Sequence, residues 1–142
     1  MSIDVRFPDG TVVRASALSD RNKDEGWREY GLYLDPMWRP SWEAELIDWE
    51  DFGIPEWPDE AAEAIRRAFA LARSGKHVEV GCLAGMGRTG TVLACMAILV
   101  GVPPTDAVSW VKWNYDPDAI ANAAQEQWVG WFGARIRDTG RT

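Results

Sequence analysis

The chain has 142 residues, 46% hydrophobic and 26% charged, a globular composition that argues against disorder and predicts one domain over residues 1–142. Fifteen Lys and Arg against 22 Asp and Glu leave a formal charge of −7, which disfavours nucleic acid or an anionic membrane as a partner, because both need clustered cations. The longest apolar run, VLACMAILVGV at 92–102, falls well short of the roughly 20 residues of a membrane helix. MSIDVRFPDG carries no basic-then-apolar leader pattern and there are only two cysteines, so a reducing cytoplasm is the expected location.

IDVRF (3–7) and TVVRA (11–15) alternate in polarity about Pro8-Asp9-Gly10, which predicts an N-terminal β-hairpin. The polar, turn-rich stretch 16–29 predicts a loop. GLYLD (31–35) and ELIDW (45–49) read as short strands. A helix is expected over 58–74, with Pro58 near its start, acidic residues in its first turn, Arg73 in its last and Gly75 after it. HVEVG (77–81) reads as the central strand, followed by the glycine-bearing loop CLAGMG and a mostly apolar helix ending near Gly101. Past Pro103 and Pro104, Thr105 is placed to cap a helix through about Asn114. DPDAIA is expected to turn, and the last helix to start after Asn122, where Asn122-x-x-Gln125 matches a capping box. Strands alternating with helices predict an α/β fold: a central, mostly parallel sheet flanked by helices, with an N-terminal β-hairpin.

The sharpest feature is VGCLAGMGRTGT at 80–91, which admits two readings. Gly85, Gly87 and Gly90 spell G-x-G-x-x-G between a strand and a helix, the dinucleotide-binding pattern. That pattern expects a second strand ending in an acidic residue about 20 positions on; here Asp106 follows two prolines and opens a helix. The other reading takes Cys82 and Arg88 together as C-x5-R. Backbone N–H groups of such a loop, with the helix N-terminus, make an anion cradle. An Arg grips two phosphate oxygens with a fork that Lys lacks, and the same field stabilises a thiolate, making Cys82 available as a nucleophile.

On Cys82, Arg88 and AGMGRTGT the chain resembles the cysteine-dependent protein tyrosine phosphatase superfamily, whose signature is H-C-x5-R-[ST]. WEDFGIP at 49–55 is similar to the mobile W-P-D-x-G-x-P loop that carries the family's general acid. AIANAAQEQWV at 119–129 is similar to the segment whose glutamines position water. The three segments stand in the family's order, and the length suits its compact, dual-specificity-like members. The resemblance implies a tyrosine-phosphatase-like fold and a phosphatase acting through a cysteinyl-phosphate intermediate, with no metal and no cofactor.

Carried over residue by residue, the resemblance makes Cys82 the nucleophile and Arg88 the clamp on substrate oxygens and transition-state charge. Thr89 becomes the hydroxyl that supports the leaving sulfur. Leu83, Ala84, Gly85, Met86 and Gly87 contribute backbone donors to the phosphate. Asp51 aligns with the general acid; Asp48 and Glu50 crowd the same loop, but the following F-G-I-P fixes the register on Asp51. Gln125 matches the second family glutamine, although it also completes the capping box from Asn122.

Three positions depart from the family. Gly81 stands where it usually has His, a Gly-Cys variant associated with some small bacterial and phage-type members. Glu50 replaces the loop proline, and Ala121 the first glutamine. These departures keep a phosphate-binding or weakly active pseudophosphatase as the alternative. His77, the only histidine, reads as an exposed strand-start residue. Cys95 lies about 10 Å along the helix from Arg88, too far to pair with Cys82 without rearrangement, and is expected in the core. Trp110, Trp113, Trp128 and Trp131 fall at i, i+3 spacings that read as core packing.

The expected substrate is a phosphoprotein or small aryl phosphate, phosphotyrosine and phosphoserine or phosphothreonine being undivided by the sequence. Phosphate, sulfate or vanadate are the expected anions in the site. The two readings of the glycine loop separate by ligand. Orthovanadate or sulfate should raise the melting temperature by binding only the folded state, and NAD or NADP should not. Stabilisation by a nicotinamide nucleotide with none by oxyanions would reverse the ranking.

Overall fold

Alternating polarity on either side of Pro8-Asp9-Gly10 produces the hairpin, with β1 (Ile3–Arg6) antiparallel to β2 (Val12–Ala17). The computed structural model describes residues 2–23 and 25–139. Three further strands, β3 (Tyr30–Tyr33), β4 (Ala44–Leu46) and β5 (Val78–Cys82), complete a sheet ordered β1-β2-β5-β3-β4. Every pairing except β1 with β2 is parallel. Among the described residues, four α-helices accompany it: α1 (Pro58–Arg73), α2 (Gly87–Leu99), α3 (Pro104–Asn114) and α4 (Ala123–Thr139). The architecture is the expected α/β sheet with flanking helices. No strand follows α2 before α3 begins, so the dinucleotide pattern lacks its second strand.

The central strand β5 decides what each side of the sheet contains, because alternate residues face opposite ways. Val78, Val80 and Cys82 join the main core with Leu32, Val13, Ile65, Leu93 and Phe132. Glu79 and Gly81 face the other side, where Tyr33, Trp38 and Leu18 form a second, smaller cluster. Glu79 is fully buried there and is met by three donors. It accepts from Arg28 Nε at 2.6 Å, Tyr33 Oη at 2.8 Å and Ser16 Oγ at 2.7 Å. Trp42 Nε1 donates in turn to Tyr33 Oη at 2.8 Å. Burial, then the Glu79 charge, push the Tyr33 phenol far above its ordinary value, so it stays a neutral donor.

That network corrects the expected loop at 16–29. Ser16 and Ala17 belong to β2, since parallel pairing continues to Ala17 opposite Cys82. Beyond them Leu18–Asp20 and Glu25–Trp27 wind into short 3₁₀ turns. Arg28 Nη2 donates to Asp20 O at 3.0 Å, so the buried pair with Glu79 pulls the segment down onto the sheet. The strands expected at 31–35 and 45–49 are shorter than their apolar content predicts. After β3, Asp35 Oδ1 accepts the Met37 N–H at 2.9 Å and turns the chain. Thr105 does not cap α3; Pro103 holds that place and Pro104 the first helical position, where a missing N–H costs nothing.

Cys95 and Trp128 are core, as expected, and Trp110 packs against it. Trp113 is 89% exposed and Trp131 38%, so the i, i+3 aromatic spacing holds for half of that set. His77 is exposed at the start of β5, its ring stacked on Trp27 at 4.6 Å. Among the described residues, no helix is long and apolar enough to cross a membrane.

Arg28 and Glu79 are both essentially excluded from solvent, and removing one partner strands the other charge. Glu79→Ala should therefore cost about 3–5 kcal/mol of unfolding free energy in urea. A loss below about 1 kcal/mol would mean that Arg28 reaches water instead.

Candidate active site

The parallel sheet delivers Cys82 as the last residue of β5, at the carboxyl ends of the strands where open α/β sheets place ligand sites. The chain then crosses Leu83 to Met86 and enters α2 at Gly87. Leu83 O accepts the Leu18 N–H at 3.1 Å, which ties this loop to the end of β2. Gly85 adopts φ +72°, and a Cβ there would lie 3.1 Å from Ala17 N, so both conformation and space require glycine. The Tyr115 hydroxyl, on the chain after α3, donates to Gly85 O. Burial first, and then the Cys82 charge, push that phenol well above its ordinary value, so it holds the carbonyl as a neutral donor.

Arg88 and Thr89 occupy the first turn of α2, beside the loop. Thr89 is buried and its hydroxyl donates to Cys82 Sγ at 3.0 Å. Arg88 is 3% exposed, and a buried guanidinium needs acceptors. Nη1 finds Leu34 O at 2.6 Å and Trp49 O at 2.8 Å. Nη2 lies 3.4 Å from Asp35 Oδ2. Nε has no hydrogen-bond acceptor among the described residues; Asp51 Oδ1 stands 3.6 Å away as an ion-pair partner. Of the three crowded acids, Asp51 is the one that reaches Arg88, and its carboxylate remains half-exposed.

These features meet the comparisons with known proteins at one point. The protein-tyrosine phosphatase family model matches residues 14–112. The chain belongs to that family. The uncharacterized protein MJECL20 of Methanocaldococcus jannaschii is 34% identical over 111 residues, covering 69% of this chain and 71% of that protein. Among solved structures, Tk-PTP in its active form superposes with a TM-score of 0.75 at 20% identity, over 93% of this chain and 97% of that one. A mouse putative dual specificity phosphatase, crystallised with zinc tungstate, gives 0.74 at 13% identity over 90% and 86%. The fold is thus that of compact tyrosine and dual-specificity phosphatases.

Within this phosphatase fold, the acid loop is held in an unusual backbone state. Phe52, next to Asp51, sits at φ 63°, a left-handed conformation that costs a bulky residue about 1–2 kcal/mol. Several bonds oppose that strain. Trp49 Nε1 donates to Gly53 O at 2.7 Å and Gly53 N to Glu50 O at 2.9 Å. From the start of α4, Asn122 Nδ2 donates to Phe52 O at 2.7 Å and Gln125 Nε2 to Gly53 O at 3.0 Å. At about 0.5–1.5 kcal/mol each, the last two are together of the same size as the strain.

The capping box at Asn122 is therefore half formed. Asn122 Oδ1 accepts the Gln125 N–H at 3.0 Å. Gln125 does not reciprocate; its Oε1 accepts from Ala121 N at 2.8 Å while Nε2 goes to the acid loop. The structure brings Cys82, Arg88, Thr89 and Asp51 together and sets Gln125 against the same loops. Asp35 and Tyr115 escaped the sequence reading, and Asn122 was legible there only as a helix cap, not as a donor to Phe52 O. Asp35 had a usable signal, a carboxylate ending a strand beside the central one; Tyr115 had none, because its contact spans 30 residues.

The missing family histidine has a physical explanation. A Cβ at Gly81 would lie 2.4 Å from the Trp38 ring, and that ring is buried and stacked on Tyr33 at 4.4 Å. Trp38 fills the space that a side chain at 81 would need. Gly81→Ala should destabilise the fold by roughly 1–3 kcal/mol through overpacking, and Trp38→Leu in the same chain should recover part of it in urea titrations. Full tolerance of Gly81→Ala with Trp38 intact would show that the ring yields freely.

Proposed function

We propose that the protein hydrolyses phosphomonoesters, phosphotyrosine and also phosphoserine or phosphothreonine, through a cysteinyl-phosphate intermediate. The observation that carries this reading is Arg88. Three of its contacts anchor it to Leu34, Trp49 and Asp35, while among the described residues its buried Nε has no hydrogen-bond acceptor and only Asp51 as an ion-pair neighbour at 3.6 Å. A guanidinium so fixed presents a preorganised donor to a phosphoryl oxygen, and the amides of Leu83 to Gly87 supply further donors. The tungstate in the mouse relative is an oxyanion of the same geometry as phosphate.

In the first step the Cys82 thiolate attacks phosphorus and the bond to the leaving oxygen breaks. Asp51 gives that oxygen its proton. In the second step a water attacks phosphorus and passes a proton to Asp51, and the sulfur–phosphorus bond breaks. The Thr89 hydroxyl stabilises the departing thiolate by the bond it already makes at 3.0 Å. The scheme calls on no metal or cofactor. Substrates on this reading are phosphoproteins or small aryl phosphates, with nucleic acid disfavoured by the acidic charge.

Turnover of an aryl phosphate in EDTA tests the scheme. Cys82→Ser should abolish it and still bind phosphate or tungstate, and Arg88→Lys should lose activity because an ammonium has no fork. The pH–rate profile should be bell-shaped, and Asp51→Asn should lose its descending limb. That loss should reach roughly 10²–10⁴-fold for a phosphotyrosine-like leaving group and be smaller for a nitrophenolate. Substantial activity in Cys82→Ser would sink the covalent mechanism. Binding without wild-type turnover would favour the pseudophosphatase.

A further inference from the structure

We infer that Asn122 and Gln125 form a two-handed latch that holds the acid loop with Asp51 over the phosphate site. Through it, both residues act on the first chemical step. The inference rests on the function proposed above and assigns Gln125 a task other than orienting water.

Four observations carry it. Successive loop carbonyls, Phe52 O and Gly53 O, each receive one amide donor from the start of α4, from Asn122 Nδ2 and Gln125 Nε2. These are the carbonyls immediately after Asp51. Both amides are fixed in orientation by their other ends. Asn122 Oδ1 takes the Gln125 N–H, and Gln125 Oε1 takes the Ala121 N–H. An N–H needs an acceptor and a carbonyl a donor, so neither amide can flip without losing both bonds.

Next, the segment the latch grips is strained. Phe52 is left-handed without being glycine, and such a state persists only where its surroundings hold it. Glu50 in place of the family proline leaves the loop backbone freer by itself, which increases its dependence on outside contacts. Finally, Gln125 is buried against the other half of the site. A Cβ on Gly87 would lie 3.2 Å from Gln125 Oε1. One amide therefore bonds the acid loop and lies beside Gly87 at the end of the phosphate loop, and can couple the two. Ile120, at φ 65°, turns the chain immediately before the latch.

A latch of this kind acts on Asp51 and hardly on Cys82. Releasing it should slow reactions that need a proton on the leaving oxygen more than reactions that do not. The variants are Asn122→Ser, which keeps a good helix cap, and Gln125→Met, which keeps the length without the amide. Rates are measured on phenyl phosphate and on 2,4-dinitrophenyl phosphate, with pre-steady-state release of the leaving group. Each variant should raise the dinitrophenyl-to-phenyl rate ratio about five- to tenfold, the equivalent of one lost hydrogen bond. In an Asp51→Asn background neither should change the ratio further.

Three results would overturn the latch. A Gln125→Met enzyme equally slow on both esters, with a burst of leaving group as cysteinyl-phosphate accumulates, would return Gln125 to positioning water. An unchanged ratio in both variants would leave the contacts without catalytic effect. A ratio change that persists in Asp51→Asn would mean the effect does not pass through the acid. Absence of wild-type turnover on both esters would instead overturn the underlying reading, so the two failures are distinguishable.

Discussion

A buried guanidinium must satisfy its N–H groups or lose several kcal/mol of hydration without return, and in this phosphatase that requirement falls on Arg88. Its acceptors come from two separate stretches of chain, Leu34 and Asp35 after β3 and Trp49 at the head of the acidic loop, with Asp51 of that loop 3.6 Å from Nε as an ion-pair partner. The Arg is placed by α2, and α2 is placed by β5. One side chain therefore ties the end of β3 and the acidic loop at 49–51 to the start of α2. The nitrogen left without a hydrogen-bond acceptor, Nε, faces the acid that the reaction scheme uses.

The sheet supports this arrangement from behind. On the helix side of β5, Val78, Val80 and Cys82 pack into an apolar core. On the other side, Glu79 and Gly81 meet a polar network and an aromatic stack. Glu79 is paired with Arg28 and accepts from two hydroxyl donors, and the Trp38 ring occupies the space where Gly81 has no side chain. The family histidine is thus replaced by an aromatic ring from a neighbouring segment. The departure alters what packs against β5 and leaves the Thr89 contact to Cys82 in place.

The acid loop is governed by a closer balance. A left-handed Phe52 opposes a handful of hydrogen bonds of comparable size, two of them from the start of α4. Near-cancellation of this kind leaves the segment dependent on its surrounding contacts for its conformation. Through Asn122 and Gln125, the start of α4 and the residue before it bear on a loop about 70 residues earlier in the chain.

The amino-acid sequence by itself determined the order of strands and helices along the chain and marked the two segments, C-x5-R and WEDFGIP, that the fold brings together at Arg88 and Asp51. Those signals are local: C-x5-R spans seven residues, WEDFGIP another seven, and hydrophobic periodicity reports which face of each element is apolar. Tertiary structure alone decided that Arg28 would be drawn into the sheet, so that 16–29 is not a free loop. It also decided that Trp38 would occupy the space above Gly81. Asn122 and Gln125 read locally as a capping box, yet only the folded chain turns their amides toward Phe52 and Gly53, about 70 residues away in sequence. Such contacts depend on where distant segments meet, and a pattern confined to a few neighbouring residues holds no information about that distance.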